Sequence, residues 1–256
     1  MRFDVLTTKE RTAHLAFFGT EFDLSEFEST LLKYGEKKIQ AWSDLLLEPH
    51  FLPRVEMDRK AEFPGWLVRP DNHSYNVVYQ GKVLRQIDGK LQPDKNAHWL
   101  SGNTVLIDTR LKPNYESGRQ MYENDYLGPF LAELREAGKI SRYDYGDQSS
   151  RFGVSADEWE EQVKPVLSKD KRFEFGQDQW RFERAIEANV IPQIYLHMSR
   201  KNNGYTSTWS WYEEYFGGRS DRVIGGHSVC GGLSVFYWIW SGNHWGYQAF
   251  CPLAVL

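Results

Sequence analysis

Residues 223–256 read VIGGHSVCGGLSVFYWIWSGNHWGYQAFCPLAVL, a stretch without one Asp, Glu, Lys or Arg in a chain that is 26% charged overall. Within it Phe236, Tyr237, Trp238, Ile239 and Trp240 follow one another without a break. A strand with one buried face alternates, so half of these side chains should turn away from any single core. A strand covered on both faces would bury them all. Gly, Ser, Asn and His punctuate the run, and buried Trp and Tyr each need a partner for their polar tip. A surface rich in Trp, Tyr, His, Ser, Asn and Gly has the composition of an antibody-like binding site. The stretch is therefore either the core of the fold or, in part, a recognition surface.

Upstream, the first 20 residues include an alternating stretch, and FDLSEFESTLLKYG predicts a helix with Ser25 and Glu28 at capping-box spacing, ending near Gly35. Residues 74–90 read as β structure with turn glycines at Gly81 and Gly89. NTVLIDTR (103–110) is a strand whose unbroken Val105-Leu106-Ile107 run fits cover on both faces. Residues 119–140 predict helix, divided at Pro129 and stopped at Gly138. Ser155 and the acidic residues after it mark a helix start over 155–167. Residues 177–198 predict an amphipathic helix interrupted at Pro192, and a short helix is expected around 211–216. A boundary between an N-terminal region and a larger domain is placed within 95–120.

A length of 256 residues is enough to bury a substantial core. A net charge of −4 and a pI near 6.0 argue against a dedicated nucleic-acid binder. Five of the ten Trp fall between Trp209 and Trp245. The N-terminus lacks the basic-then-apolar layout of a signal peptide, and runs such as LSVFYWIW are too short to span a bilayer. The expectation is a cytoplasmic location, or display on a phage particle or cell surface by another route, without membrane insertion.

Candidate chemistry is thin. Gly226-His227-Ser228-Val229-Cys230 departs from the Gly-x-Ser-x-Gly elbow at its second glycine, and no acid follows Ser228 in the chain. Cys230 with His227 or His244 would make a thiol–imidazole pair, but no flanking signature accompanies it. The seven histidines show no HxH or HxxxH spacing, so no metal site is expected. No GxGxxG follows a strand. Asp58-Arg59-Lys60 and Glu183 with Glu187 read as solvated charges.

The segment Trp211-Tyr212-Glu213, then Arg222-Val223-Ile224-Gly225-Gly226, Gly231-Gly232-Leu233 and Ala249-Phe250-Cys251-Pro252-Leu253-Ala254-Val255 resembles the C-terminal region of variable proteins diversified by retroelements. These belong to the formylglycine-generating-enzyme-like branch of the C-type lectin fold. The chain departs from the pattern at Ala249, where Gly is usual, and at Cys251, where Arg is usual. The resemblance covers about the last fifty residues, is fainter over 103–200, and is absent over 1–100. It implies an α+β chain: a C-type lectin-like domain over 101–256 with a ligand-binding variable region at about 226–250, preceded by a small N-terminal α/β region over 1–100. In that frame the FCPLAVL strand pairs with an early strand of the domain, for which NTVLIDTR is the candidate. Gly225, Gly226, Ser228, Gly231, Gly232, Leu233, Val235, Gly246 and Phe250 would be frame. His227, Val229, Cys230, Ser234, Phe236, Tyr237, Trp238, Ile239, Trp240, Asn243, His244, Trp245 and Tyr247 would be the variable, ligand-binding positions.

The function implied is receptor recognition by a diversified aromatic surface, with no catalytic group and no cofactor, directed at another protein or a cell-surface ligand. An oxidase of the same fold would need Cys230 and Cys251 as its cysteine pair, in a context unlike such enzymes. A phage tail-tip component is the other alternative. Calcium-dependent sugar binding lacks its carboxylates, since 223–256 contains none. The sequence sets no oligomeric state.

Overall fold

Phe3, Leu6, Phe17 and Phe18 share one helical face with Glu10 and His14, and Phe3–Phe18 folds as helix α1, capped at Gly19 in the left-handed region. The alternation expected there gives way to helix because two polar residues sit in the buried stripe and mask its period. The computed structural model describes residues 2–71, 73–74, 82–111, 113, 122, 124–173, 175–198, 208–218, 220–226 and 236–256. Helix α2, Ser25–Ser43, does not stop near Gly35. It kinks there (φ 79°, ψ 156°) and resumes, because Ile39 and Trp42 bring two more fully buried side chains to the core. Ser25 lies inside this helix, and the Asp23 carboxylate accepts its backbone N–H at 2.9 Å in place of the expected capping box.

The strands are β1 (Leu47–Leu52), β2 (Val83–Ile87), β3 (Lys90–Pro93), β4 (Asn103–Asp108), β5 (Trp180–Phe182), β6 (Trp209–Phe216), β7 (Asp221–Gly225), β8 (Phe236–Trp240), β9 (Gln248–Phe250) and β10 (Pro252–Val255). One antiparallel sheet has the order β1-β4-β10-β5. The expected pairing of FCPLAVL with NTVLIDTR is observed: Leu253 stands opposite Ile107 and Val255 opposite Val105. Alternate residues of β4 and β10 enter different cores. Leu106 and Ala254 join Phe27, Trp42, Leu131, Trp159 and Trp180 on one face, while Val105, Ile107 and Leu253 join Phe17, Phe18, Val190 and Ile194 on the other. Period-two geometry explains the continuous apolar run: both faces of the sheet are covered.

The second sheet runs β3-β2-β6-β7-β8, with β9 parallel to β6. Gly89 serves the β2–β3 turn at φ 73°; Gly81 lies outside the described residues. The helix expected around 211–216 is strand β6. Its Trp211, Tyr212 and Glu214 are buried between neighbouring strands on either side, and sheet packing overrides the helical look of Tyr-Glu-Glu-Tyr. Residues 177–198 likewise contain β5 before the helix begins. The chain is thus a mixed α+β fold.

Three further helices, α3 (Gly128–Glu136), α4 (156–167) and α5 (Ala185–Ile194), bring the total to five among the described residues. Pro129 opens α3 and Gly138 follows it at φ 65°. Ser155 and Glu158 form a capping box at the start of α4, whose middle, Trp159–Val163, is π-helical. Glu183 and Glu187 are not solvated charges: both are buried, and Glu187 receives Arg181 at 2.7 and 2.8 Å. Another buried carboxylate, Glu10, accepts from the Phe51 N–H at 2.9 Å on the outer edge of β1. Burial opposes its ionisation, but His50 and His14 outweigh that and hold the carboxyl at about 2. No helix among the described residues is long and apolar enough to cross a membrane.

Candidate functional site

Strand β8 pairs with β7 in full register, from Gly225 opposite Phe236 to Asp221 opposite Trp240, and ends the path of its sheet. Its first residue is buried and its last is the most exposed. Phe236 is fully buried, edge-on to Tyr212 at 5.7 Å, so this candidate position faces the core. Tyr237 is 41% exposed, Trp238 36% and Trp240 59%, with Trp245 beyond the strand at 40%. Ile239 is half-buried against the main core.

The rings are held by neighbours. Trp238 stacks on Phe216 at 4.0 Å and on His73 at 5.7 Å. Tyr237 meets Trp209 at 5.5 Å, and Trp245 meets the half-buried Tyr247 at 5.2 Å. Trp240 folds over Gly242, where an added Cβ would lie 2.5 Å from the indole. Sequence reasoning missed His73, Phe216 and Tyr145, which come from distant segments. Tyr145 is exposed and fills the space where Gly246 has no side chain.

The turn carrying Trp245 is docked through its backbone. The Ser241 carbonyl accepts from Ala156 N–H at 2.9 Å and Asp157 N–H at 3.3 Å, at the electropositive start of α4. Tyr143 donates to the Gly246 carbonyl at 2.8 Å, and Gly153 N–H to that of Gln248 at 3.0 Å. Asn243 Oδ1 accepts from Trp245 N–H at 2.9 Å, which makes Asn243 a turn former. His244 Nδ1 lies 3.3 Å from Glu158 and 3.2 Å from the Gly153 carbonyl. The Glu158 hydrogen bond raises the imidazole above its ordinary range. Gly246 and Phe250, read as frame, are both buried. Candidate positions His227, Val229, Cys230 and Ser234 lie outside the described residues, as do frame positions Ser228, Gly231, Gly232, Leu233 and Val235. Cys251 is buried with its sulfur 3.6 Å from the Tyr122 hydroxyl.

The arrangement offers aromatic contact area on a fixed backbone. Metal-type donors do converge elsewhere, at Glu48, His50 and His197 on the other sheet. Local sequence spacing could not reveal them, because the fold alone brings His197 to β1. Comparison with family models, with curated proteins and with solved structures returns no match for this chain.

Proposed function

We propose that the chain is a ligand-recognition protein whose binding face is the uncharged aromatic surface of β8 and the 241–247 turn, carried on a C-type lectin-like frame and diversified by retroelement copying. The observation that carries this reading is the exposure of Trp238 and Trp240, which the pleat turns to one face of β8, and of Trp245 in the turn beyond, on a backbone docked to buried scaffold. At roughly 150–250 Å² per ring, their exposed parts amount to on the order of 270 Å², about a third of the ~800 Å² one partner contributes to a standard interface. Rings already stacked in place lose little entropy on binding, which is how aromatic anchors act at interfaces. The closing strand β10 lying against β4 supports the lectin-like frame. A partner protein fits better than a small metabolite, because exposed aromatic area of this kind suits protein surfaces.

Two experiments test the reading. Flanking DNA should hold a near-copy of the codons for about 226–250, differing chiefly at adenines, beside a reverse-transcriptase gene; a sequenced locus with neither removes diversification. Replacing Trp238, Trp240 and Trp245 together by Ser should leave unfolding free energy within about 1–2 kcal/mol of wild type, as surface changes do. If instead the triple variant unfolds, at the ~3–5 kcal/mol per residue of buried Trp, these rings are core and the binding face is lost as an idea.

A further inference from the structure

Glu48 and His50 stand two residues apart on β1, so the pleat turns both to one side. The 3₁₀ turn Leu196–Met198, just after α5, brings His197 to the same spot. One donor atom from each lies within 4.8 Å of the others: His197 Nε2 is 2.9 Å and His50 Nε2 is 3.4 Å from Glu48 Oε2.

The fourth member is Glu10, whose Oε2 takes His50 Nδ1 at 2.9 Å. A carboxylate at Nδ1 fixes the tautomer with hydrogen on that nitrogen, leaving the Nε2 lone pair directed at Glu48. His50 has a side chain only 9% exposed, and among the described residues its Nε2 has Glu48 at 3.4 Å but no hydrogen bond of normal geometry. With hydrogen on both ring nitrogens His50 meets Glu48 as an ion pair across 3.4 Å; with the Nε2 hydrogen gone, that lone pair and the carboxylate face one another as two donors for a cation.

We propose that Glu48, His50 and His197 form a three-ligand site for a divalent transition metal of the zinc class, with Glu10 as the residue that positions His50. Bond lengths of about 2.0–2.2 Å at tetrahedral angles put donor atoms about 3.3 Å apart, close to the two separations from Glu48, with the two imidazoles within 4.8 Å of each other. Two imidazoles and one carboxylate suit zinc or cobalt over calcium or magnesium, which prefer all-oxygen shells. His197 is half exposed and Glu48 partly so, which leaves the fourth position to water or an oxygen ligand entering from solvent. Tyr195 packs its ring on His50 at 3.9 Å and donates to Glu10 at 2.5 Å, so the supporting shell is itself held. The site is on the sheet that does not carry β8.

The test uses the full chain, freed of any affinity tag and stripped of metal, titrated with Zn²⁺ against a chromophoric chelator. One equivalent should bind with a dissociation constant of about 1 μM or tighter. Co²⁺ in its place should give the intense visible bands of a four-coordinate ion. His197→Ala, at an exposed position that leaves the circular dichroism spectrum unchanged, should weaken Zn²⁺ at least ~10-fold, and Glu10→Gln ~10–100-fold. Should Glu10→Gln fail to fold, Glu48→Gln takes its place with the same expected loss. His98→Ala, a histidine paired with Glu56 away from the site, should leave affinity unchanged. Equal Zn²⁺ affinity in wild type and His197→Ala, or binding weaker than about 100 μM, overturns the proposal.

Discussion

Glu214 on β6 is 1% exposed, and both its carboxyl oxygens accept from the Ala185 N–H, at 3.2 and 3.0 Å, where α5 begins. Arg184 approaches through Nε at 3.6 Å, but its guanidinium makes shorter contacts with Asp94 at 3.1 Å, the Asn96 carbonyl at 2.8 Å and the Trp99 carbonyl at 3.0 Å. One guanidinium thus serves two carboxylates. Burial wins, and pushes the Glu214 carboxyl up to about 7 from an ordinary 4.5. At 1.36 kcal/mol per pH unit this is a difference of about 3 kcal/mol between folded and unfolded chains. Between pH 4.5 and 7 the folded state holds a proton that the unfolded state releases, so the stability contribution is complete below about 4.5 and is lost as pH rises to about 7. Glu214→Gln keeps the acceptor oxygen for Ala185 and cannot ionise. Urea unfolding of both proteins at pH 5 and pH 8 should show wild type losing about 2–3 kcal/mol relative to the variant over that interval. Parallel pH dependence in the two proteins would mean that Glu214 is ionised and held by Arg184, and the reasoning would fail.

Two further perturbations probe the scaffold and the face. Leu253→Ala, at a fully buried residue of β10 opposite Ile107 and Arg181, should cost about 2–5 kcal/mol in chemical denaturation; a cost under 1 kcal/mol would deny β10 its central place. Gly242→Ala puts a methyl into the Trp240 ring, whose exposed end is free to swing away. Stability should stay within about 0.5 kcal/mol while the Trp240 indole N–H resonance moves, and an unmoved resonance would mean the ring does not rest on Gly242.

The legible parts of this fold were those where local chemistry and tertiary packing agree. Val105-Leu106-Ile107 and Leu253-Ala254-Val255 are apolar without a break because each feeds two cores, and the Ser155–Glu158 box caps its helix with its own side chains. The illegible parts put polar groups inside. Glu10 and His14 hide the buried stripe of α1, and Glu214 sits within β6 where a short helix was expected. Of the candidate site, Tyr237, Trp238, Trp240 and Trp245 stood out by composition. The inward turn of Phe236 and the tie from His244 to Glu158 depend on where β7 and α4 lie. Glu48 and His197 are 149 residues apart, beyond any spacing rule.

The position of β10 between β4 and β5 has a consequence for the making of the protein. Both neighbours precede it by long stretches of chain, so the four-stranded sheet cannot close until everything through Val255 has been synthesised. A stop codon or frameshift anywhere in 226–250 removes β10 along with the residues it truncates. Such a chain exposes the apolar edges of β4 and β5 and becomes a substrate for proteases. On the proposed reading, folding would then screen the aromatic stretch for copies read through in frame.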